Sequence, residues 1–390
     1  AFEQAVSKTR AQDDKAVLSA SGAANQTAAI LVNDKAIPYR AETYERTLVH
    51  HYQAMNYLAA NDLSGAGVEV RRANQVQEDA RRRFEREAAK AGRKAEAAQG
   101  GEEDPGLSKV YAGLNELAGS VKASYQNAAT FYLSAVIWEM LGLPNDAYID
   151  YKKALEIVPG NGYLQQDVIR LGKRLGMRED VADFSRRFPA MAGTPADGAG
   201  PFQGKGRLVV VYEEGLVPSK TSFSLPYPLF SDGAIGMLAI PMYSATPPPA
   251  LPLTVSMEGK GVGQSVPICN ISALAGRALA EKMPGIVTRQ IARSISKGVA
   301  TSQAEGWGAL ALSLYSLLSE QADLRSWLTL PAHIQIFSTW AAPGQPTVSL
   351  SSPSGGVFFS EPVSLYADKT TLMYISRIDL ASYCKIFIQP

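Results

Sequence analysis

Small and apolar residues in the first half of the chain recur at helical spacing. In AATFYLSAVIWEMLGLPNDAYIDYKKALEIVPGN they follow the pattern of one helix-turn-helix repeat of about 34 residues. Phe131, Ala135 and Trp138 mark a first helix, GLPND the turn, and Ala147, Tyr151, Ala154 and Pro159 the second. Alanines at a helix crossing let two backbones approach, while the aromatics fill the groove between successive hairpins. The earlier stretch ERTLVHHYQAMNYLAANDLSGAGVEVRRANQ fits the same template, with Ala54, Tyr57, Ala66, Val70 and Ala73 at equivalent places. A degenerate third copy runs from Tyr163 through LGKRLGMREDVADFSRRFP and ends at Pro189. One such unit cannot bury its own apolar face, so about three are expected to stack. Between the first two copies, an insertion at about 78–106, EDARRRFEREAAKAGRKAEAAQGGEEDPG, has almost no apolar face. It reads as a solvated helical extension with a flexible loop at Gly100 to Gly106, or as a contact arm for a neighbouring subunit.

Beyond Arg187 the pattern changes, and Pro, Gly, Ser, Val and Ile dominate. After the linker MAGTPADGAGPFQGKG, the runs RLVVVYEEG, GAIGMLAIPMY and PLTVSMEG read as strands, and TPPPALP as a stiff extended loop. Ile271 to Ala300 is helical in pattern, with a break expected at Pro284. Val287, Ile291 and Ile295 share one face there, and Arg289, Arg293 and Lys297 form a separate row, read as a solvated face and a candidate interface to an acidic partner or lipid phosphates. Trp307 to Leu318, within a helix expected at about 305–321, is apolar nearly all round and must be buried.

The exit from that helix is ADLRSWLTLPAHIQIF. Asp323 and Arg325 are placed to pair, or Arg325 instead to stack on an aromatic face such as Trp327, and Pro331 to end the turn, so that the group forms a structural corner. Ile334, Ile336 and Phe337 then resume a strand, which QPTVSLSS, PVSLYAD and TLMYISRI extend into a small antiparallel sheet. The expected fold class is α+β: an all-α, tetratricopeptide-like domain over 1–190, a linker over 191–206, and a mixed α/β domain with a small antiparallel sheet over 207–390.

The net charge of +1 gives no global field to hold a polyanion, so nucleic acid is not an expected partner. The apolar run at Trp307 falls short of the roughly 20 residues of a spanning helix. The chain starts AFEQAV without an initiator methionine, which reads as the product of leader removal, so secretion is expected. Cys269 and Cys384 both lie in apolar, strand-like surroundings and read as two buried free thiols, with a bridge as the alternative.

Short matches to catalytic patterns are weak. Ser294 to Lys297, SISK, has Ser-x-x-Lys spacing without the partner motifs of serine acyl transferases. GKGVGQS, Gly259 to Ser265, lacks full dinucleotide-fingerprint spacing and reads as a hairpin loop. His50 and His51 point about 100 degrees apart on a helix, and Glu213 and Glu214 alternate across a strand. No catalytic residue, metal site or cofactor is expected.

The segments HHYQAMNYLAANDLSGAGVEVRRANQ, RLVVVYEEGLVPSK, RQIARSISK and ADLRSWLTLPAHIQI together resemble a family of bacterial envelope lipoproteins with tetratricopeptide-like repeats and no established biochemical activity. The pattern DxRSWxTLP is the most specific part. The resemblance implies a periplasm-facing protein anchored to the outer membrane through an N-terminal lipidated cysteine, which either precedes Ala1 or is replaced by ordinary signal cleavage. It also implies other envelope proteins as partners, in an oligomer or a larger complex. The function expected from all of this is a non-enzymatic scaffold or structural subunit of an envelope assembly. The alternatives are an accessory regulator of a cell-wall synthase and a hydrolase with an unrecognised site.

Overall fold

The structure, a computed structural model, describes residues 2–4, 6–8, 11, 38–95, 105–228, 235–302, 321–353 and 355–390. From Thr43 onward the first half forms α1 (Thr43–Ala59), α2 (Leu63–Ala95), α3 (Pro105–Ala118), α4 (Ala128–Met140), α5 (Pro144–Ile157), α6 (Gly162–Arg174) and α7 (Arg178–Arg187). Local chemistry sets these boundaries. Glu42 and Glu45 form a capping box at the start of α1. Asn127 accepts from the Thr130 amide, and Asn161 from those of Tyr163 and Leu164, so that donors with no partner inside the helix are satisfied. Gly142 and Gly176, at φ +73° and +71°, take the left-handed conformation that ends α4 and α6.

Three antiparallel pairs result: α1 with α2, α4 with α5, and α6 with α7. Ala66, Ala73, Ala135, Ala147 and Ala154 sit fully buried at the crossings, with Phe131, Trp138 and Tyr151 between them. Tyr57 is only half-buried, and Pro159 is exposed just beyond α5. The charged insertion is the continuation of α2, a single helix of 33 residues. Pro105 and Gly106, expected in a loop, open α3, because proline suits the first helical turn. Residues 96–104, which hold the rest of the expected loop, lie outside the described residues.

The second half contributes β1 (Gly206–Glu214), β2 (Lys220–Pro228), β3 (Ile235–Tyr243), β4 (Thr254–Met257), β5 (Lys260–Gln264), β6 (Val266–Asn270), α8 (Ile271–Ser302), β7 (His333–Ala341), β8 (Thr347–Ser351), β9 (Val357–Pro362), β10 (Thr370–Ile378) and β11 (Ala381–Ile388). Five strands form a sheet in the order β11-β10-β1-β7-β6, four form another in the order β5-β4-β8-β9, and β2 pairs with β3. The fold class is α+β. The first sheet is mixed, since β1 runs parallel to β10 and antiparallel to β7. The expected strand at PVSLYAD is replaced by β9, which ends at Pro362, and by a single bridge from Leu365 to Gly344. GKGVGQ is the second strand of a hairpin whose turn is Glu258 and Gly259, rather than a loop throughout.

The run LVVVY explains the layering. Val209 and Val211 pack into a core with α1, α4, α5 and α6, and Leu208, Val210 and Tyr212 into another with Val255, Val348 and Leu350 of the four-stranded sheet. A strand buried on both faces needs no polar alternation, and its sheet forms the middle of three layers. The helices and the strands thus share one continuous core, from Tyr44 and Leu48 to Ile336 and Leu372. The residues between them, 191–206, are shaped by 3-10 turns at Pro189–Met191 and Gly200–Phe202.

The break expected at Pro284 is absent: α8 continues from Ile271 to Ser302 with the proline inside. Proline removes one backbone donor and crowds the preceding turn. Packing offsets that cost, because Leu279, Met283 and Ile286 around it are buried against Val110 and Leu114 of α3 and Leu238 and Ile240 of β3. The helix expected at about 305–321, with its apolar run Trp307 to Leu318, lies outside the described residues apart from Gln321, which is in coil. Replacing Pro284 with alanine restores the donor at an exposed position, so Pro284→Ala should raise stability by about 1–2 kcal/mol in urea unfolding; a loss would mean that α8 depends on the proline.

Candidate functional site

Charged side chains meet at the seam between helices and sheet. Arg207 at the start of β1 donates to both oxygens of Asp167 on α6, at 2.7 and 2.9 Å, to Glu139 Oε1 on α4 at 2.6 Å and to Ser338 Oγ on β7 at 3.0 Å. Arg170 forks onto Glu139 at 2.6 and 2.7 Å and reaches Asp167 at 2.7 Å. The Tyr151 hydroxyl donates to Glu139 at 2.6 Å, and Asp197 links Arg170 to Arg174 at 3.1 and 2.7 Å. Both guanidinium groups lie over the Trp340 ring, 5.4 and 5.1 Å from its centroid. Burial pushes the Glu139 carboxyl up, but Arg170 and Arg207 outweigh it and hold the group below its usual range. Burial pushes the Asp167 carboxyl above its usual range despite the same two arginines, and acidic and basic groups meet in equal number, so the cluster forms a hydrogen-bonded lock.

A second carboxylate is buried alone. Glu213 on β1 accepts from the hydroxyls of Tyr374 on β10 at 2.6 Å and Tyr52 on α1 at 3.0 Å. Burial pushes its carboxyl up to about 7, and the two tyrosine hydrogen bonds only partly offset this. The neighbouring Glu214 points to the other face, where Tyr212 and Gln335 reach it at 3.2 and 3.0 Å, as strand alternation requires.

The DLRSW corner packs against the start of α1. Arg325 grips Asp323 through Nε and Nη2 at 2.7 and 2.8 Å. Its guanidinium lies over Tyr39, 5.5 Å from the ring centroid, and not over Trp327 as expected. Trp327 instead turns its ring to Tyr52, at 5.9 Å, while its amide donates to Glu45 at 2.8 Å. The fork of Arg325 is occupied by a residue two positions back, which directs it away from the next-but-one ring. Pro331 lies between two anchors: the Leu330 carbonyl accepts from the Val217 amide at 3.0 Å, and the Ala332 amide donates to the Glu214 carbonyl at 3.0 Å.

Two openings flank these locks. One cleft of about 460 Å³ lies between α6, the turn Gly200–Phe202 and β7, with Tyr163, Phe202, Phe337 and Trp340 among its walls. The other, about 740 Å³, follows α2 where it projects past the start of α1, and Arg46, Arg82, Arg83 and Arg86 line it with Asp79 and Glu85. Arginine and lysine outnumber aspartate and glutamate by nine to five along Leu63–Ala95. Arg82 pairs with Glu78, whereas Arg83 and Arg86 form no ion pair among the described residues.

The reading of Arg289, Arg293 and Lys297 as a solvated face fails at Arg293. Arg293 is fully buried and Arg289 half-buried, and the side chain of Lys297 lies outside the described residues, as does that of Ser294. The reason is helical pitch: Arg293 falls seven residues after Ile286 and three after Gln290, on the face that docks β3, where Gln290 bonds both ways to Ala239 at 2.7 and 2.6 Å. Cys269 is buried, but Cys384 is half-buried rather than buried, and both are free thiols. Burial pushes them up to about 12 and 11. They sit on β6 and β11 at opposite edges of the five-stranded sheet, roughly 19 Å apart at the usual strand spacing and far beyond disulfide reach.

His50 bonds Glu69 at 2.6 Å, His51 faces Thr130 at 3.3 Å, and His333 meets the Pro248 carbonyl at 2.8 Å. No cluster of three metal-ligating residues occurs among the described residues, and no helix there is long and apolar enough to cross a membrane. The sequence reading missed the lock at Glu139, Asp167, Arg170 and Arg207. Its signal was a charge inside an apolar run, as in IWEML and GRLVVV. Comparisons with family models, curated proteins and solved structures returned no match.

Removing one arm of the lock leaves carboxylates buried without a partner. Arg207→Ala should therefore cost about 3–5 kcal/mol in denaturant unfolding, far more than loss of an exposed ion pair. Glu213 makes a pH-dependent prediction. Its carboxyl ionises near 4.5 when unfolded and near 7 when folded, so its contribution to stability is complete below 4.5 and is lost as pH rises to about 7. Glu213→Gln should abolish that decline, gaining up to about 3 kcal/mol on wild type between pH 4 and pH 8. Parallel stability curves for the two proteins would count against it.

Proposed function

We propose that the protein is a non-enzymatic scaffold of a bacterial cell-envelope assembly, facing the periplasm and binding other proteins through its helical layer. The helix pairs α1/α2, α4/α5 and α6/α7 act in this reading as three tetratricopeptide-like units, supported by the buried alanines at their crossings. The observation that carries the proposal is the contrast between interior and surface. Inside, the seam charges are consumed in a neutral, hydrogen-bonded lock. Outside, α2 projects an arginine-lined groove of about 740 Å³ whose excess of arginine suits an acidic protein surface.

The test is the mass of the native particle after gentle extraction, with its co-purifying proteins identified. A large particle of defined stoichiometry is expected. Combined Arg82→Glu, Arg83→Glu and Arg86→Glu substitutions, with unchanged far-UV circular dichroism, should reduce partner retention about tenfold or more. Raising the salt to about 1 M, where the Debye length is about 3 Å, should do the same to the wild type. A lone monomer that changes the rate of a cell-wall synthase on addition would favour a transient regulator.

A further inference from the structure

The walls of the 460 Å³ cleft are set before anything binds. β6 leaves β7 at Ile336, and Tyr163 of α6 crosses the gap that follows, its hydroxyl donating to the Gln264 carbonyl at 2.7 Å. The Tyr163 ring stands edge to face with that of Phe337, 5.7 Å between centroids, and the Phe202 ring stands 4.3 Å from that of Trp340. Gly263 lies so close to the Phe337 ring that a Cβ there would come within 2.7 Å of it, so only glycine fits. The lock fixes the last wall, because Trp340 pairs with Arg207 along the ladder and lies beneath its guanidinium. Walls already in place spare a ligand most of the ordering cost of binding.

The polar groups of the cleft, by contrast, are uncommitted. Gln166 on α6, Thr339 on β7 and Lys205 just before β1 all line it half-buried, and none of their side chains makes a hydrogen bond or an ion pair among the described residues. Lys205 carries the one charge in the lining, and no carboxylate accompanies it there. A cationic guest would meet that ammonium unopposed, whereas an anionic one would neutralise it. Aromatic walls with a few convergent polar groups, in a volume between about 300 and 1,000 Å³, are the usual makeup of a small-molecule site.

We propose that this cleft binds a small organic anion, with an aromatic body of one or two rings against the Phe202, Phe337 and Trp340 wall and a carboxylate or sulfonate paired with Lys205. The Gln166 amide and the Thr339 hydroxyl supply the hydrogen bonds that orient the acid group. This site is separate from the arginine groove of α2, so either proposal stands or falls without the other.

The probe is anilinonaphthalene sulfonate, titrated into the full chain and followed by its fluorescence and by calorimetry. Saturable binding at one site per chain is expected. Phenylnaphthylamine, the same rings without the sulfonate, should bind about fivefold more weakly, the scale of an exposed ion pair. Lys205→Met should weaken the sulfonate by the same factor and leave the neutral probe unchanged. Val262→Trp, at an exposed position in the lining, should fill the cleft and abolish binding of both probes. Combined Arg82→Glu, Arg83→Glu and Arg86→Glu substitutions on α2 should change neither. Unsaturable uptake, equal affinity for the two probes, sulfonate binding untouched by Lys205→Met or by Val262→Trp, or its loss with the α2 substitutions would overturn the proposal. The comparison of the two probes uses the wild-type chain alone, so its outcome is independent of how the variants fold.

Discussion

The pairing of Arg207 with Asp167 and Glu139 is the constraint on which the architecture turns. A helical layer and a sheet can slide over one another when only apolar surface joins them, because burial is indifferent to register. A planar fork that must meet two carboxylates at 2.6 to 2.9 Å is not indifferent. By fixing α4 and α6 over β1, it also places Trp340 and the turn at Phe202, so the shape of the nearby cleft follows from ions that no ligand touches.

The same logic recurs at smaller scale. Glu45 ties the DLRSW corner to α1, and Gln290 ties α8 to the β2–β3 hairpin, each through hydrogen bonds that the surrounding apolar contacts do not specify. Hydrophobic surface supplies most of the driving force, and a few buried polar groups choose the arrangement. Glu213 stands apart because its two partners are neutral hydroxyls, which leaves its charge without a counter-ion.

Much of the fold was legible in the sequence, in proportion to how far local pattern decided it. The alanine and aromatic spacing of Phe131 to Ala154 marked helices that the structure contains, and LVVVY marked a buried strand. The parallel partnership of β1 and β10 was not legible, since Val209 meets Leu372 across a long stretch of chain and no local period encodes that. Arg293 of α8 was misread because the spacing of charges was weighed without the face set by Ile286 and Gln290. The seam lock escaped for a similar reason: Glu139, Asp167 and Arg207 are ordinary residues singly and become a unit only when distant elements meet.

The placement of β10 between β1 and β11 has a consequence for biogenesis. During synthesis the helices emerge well before the strand that completes the wall behind them, Thr370–Ile378. Until then β1 lacks its parallel neighbour and Glu213 lacks Tyr374, so the nascent chain presents to its surroundings a sticky edge that the finished protein conceals. Truncation before Thr370 would therefore strike the whole molecule, and quality control would treat such a chain as unfolded rather than as a shortened but serviceable protein.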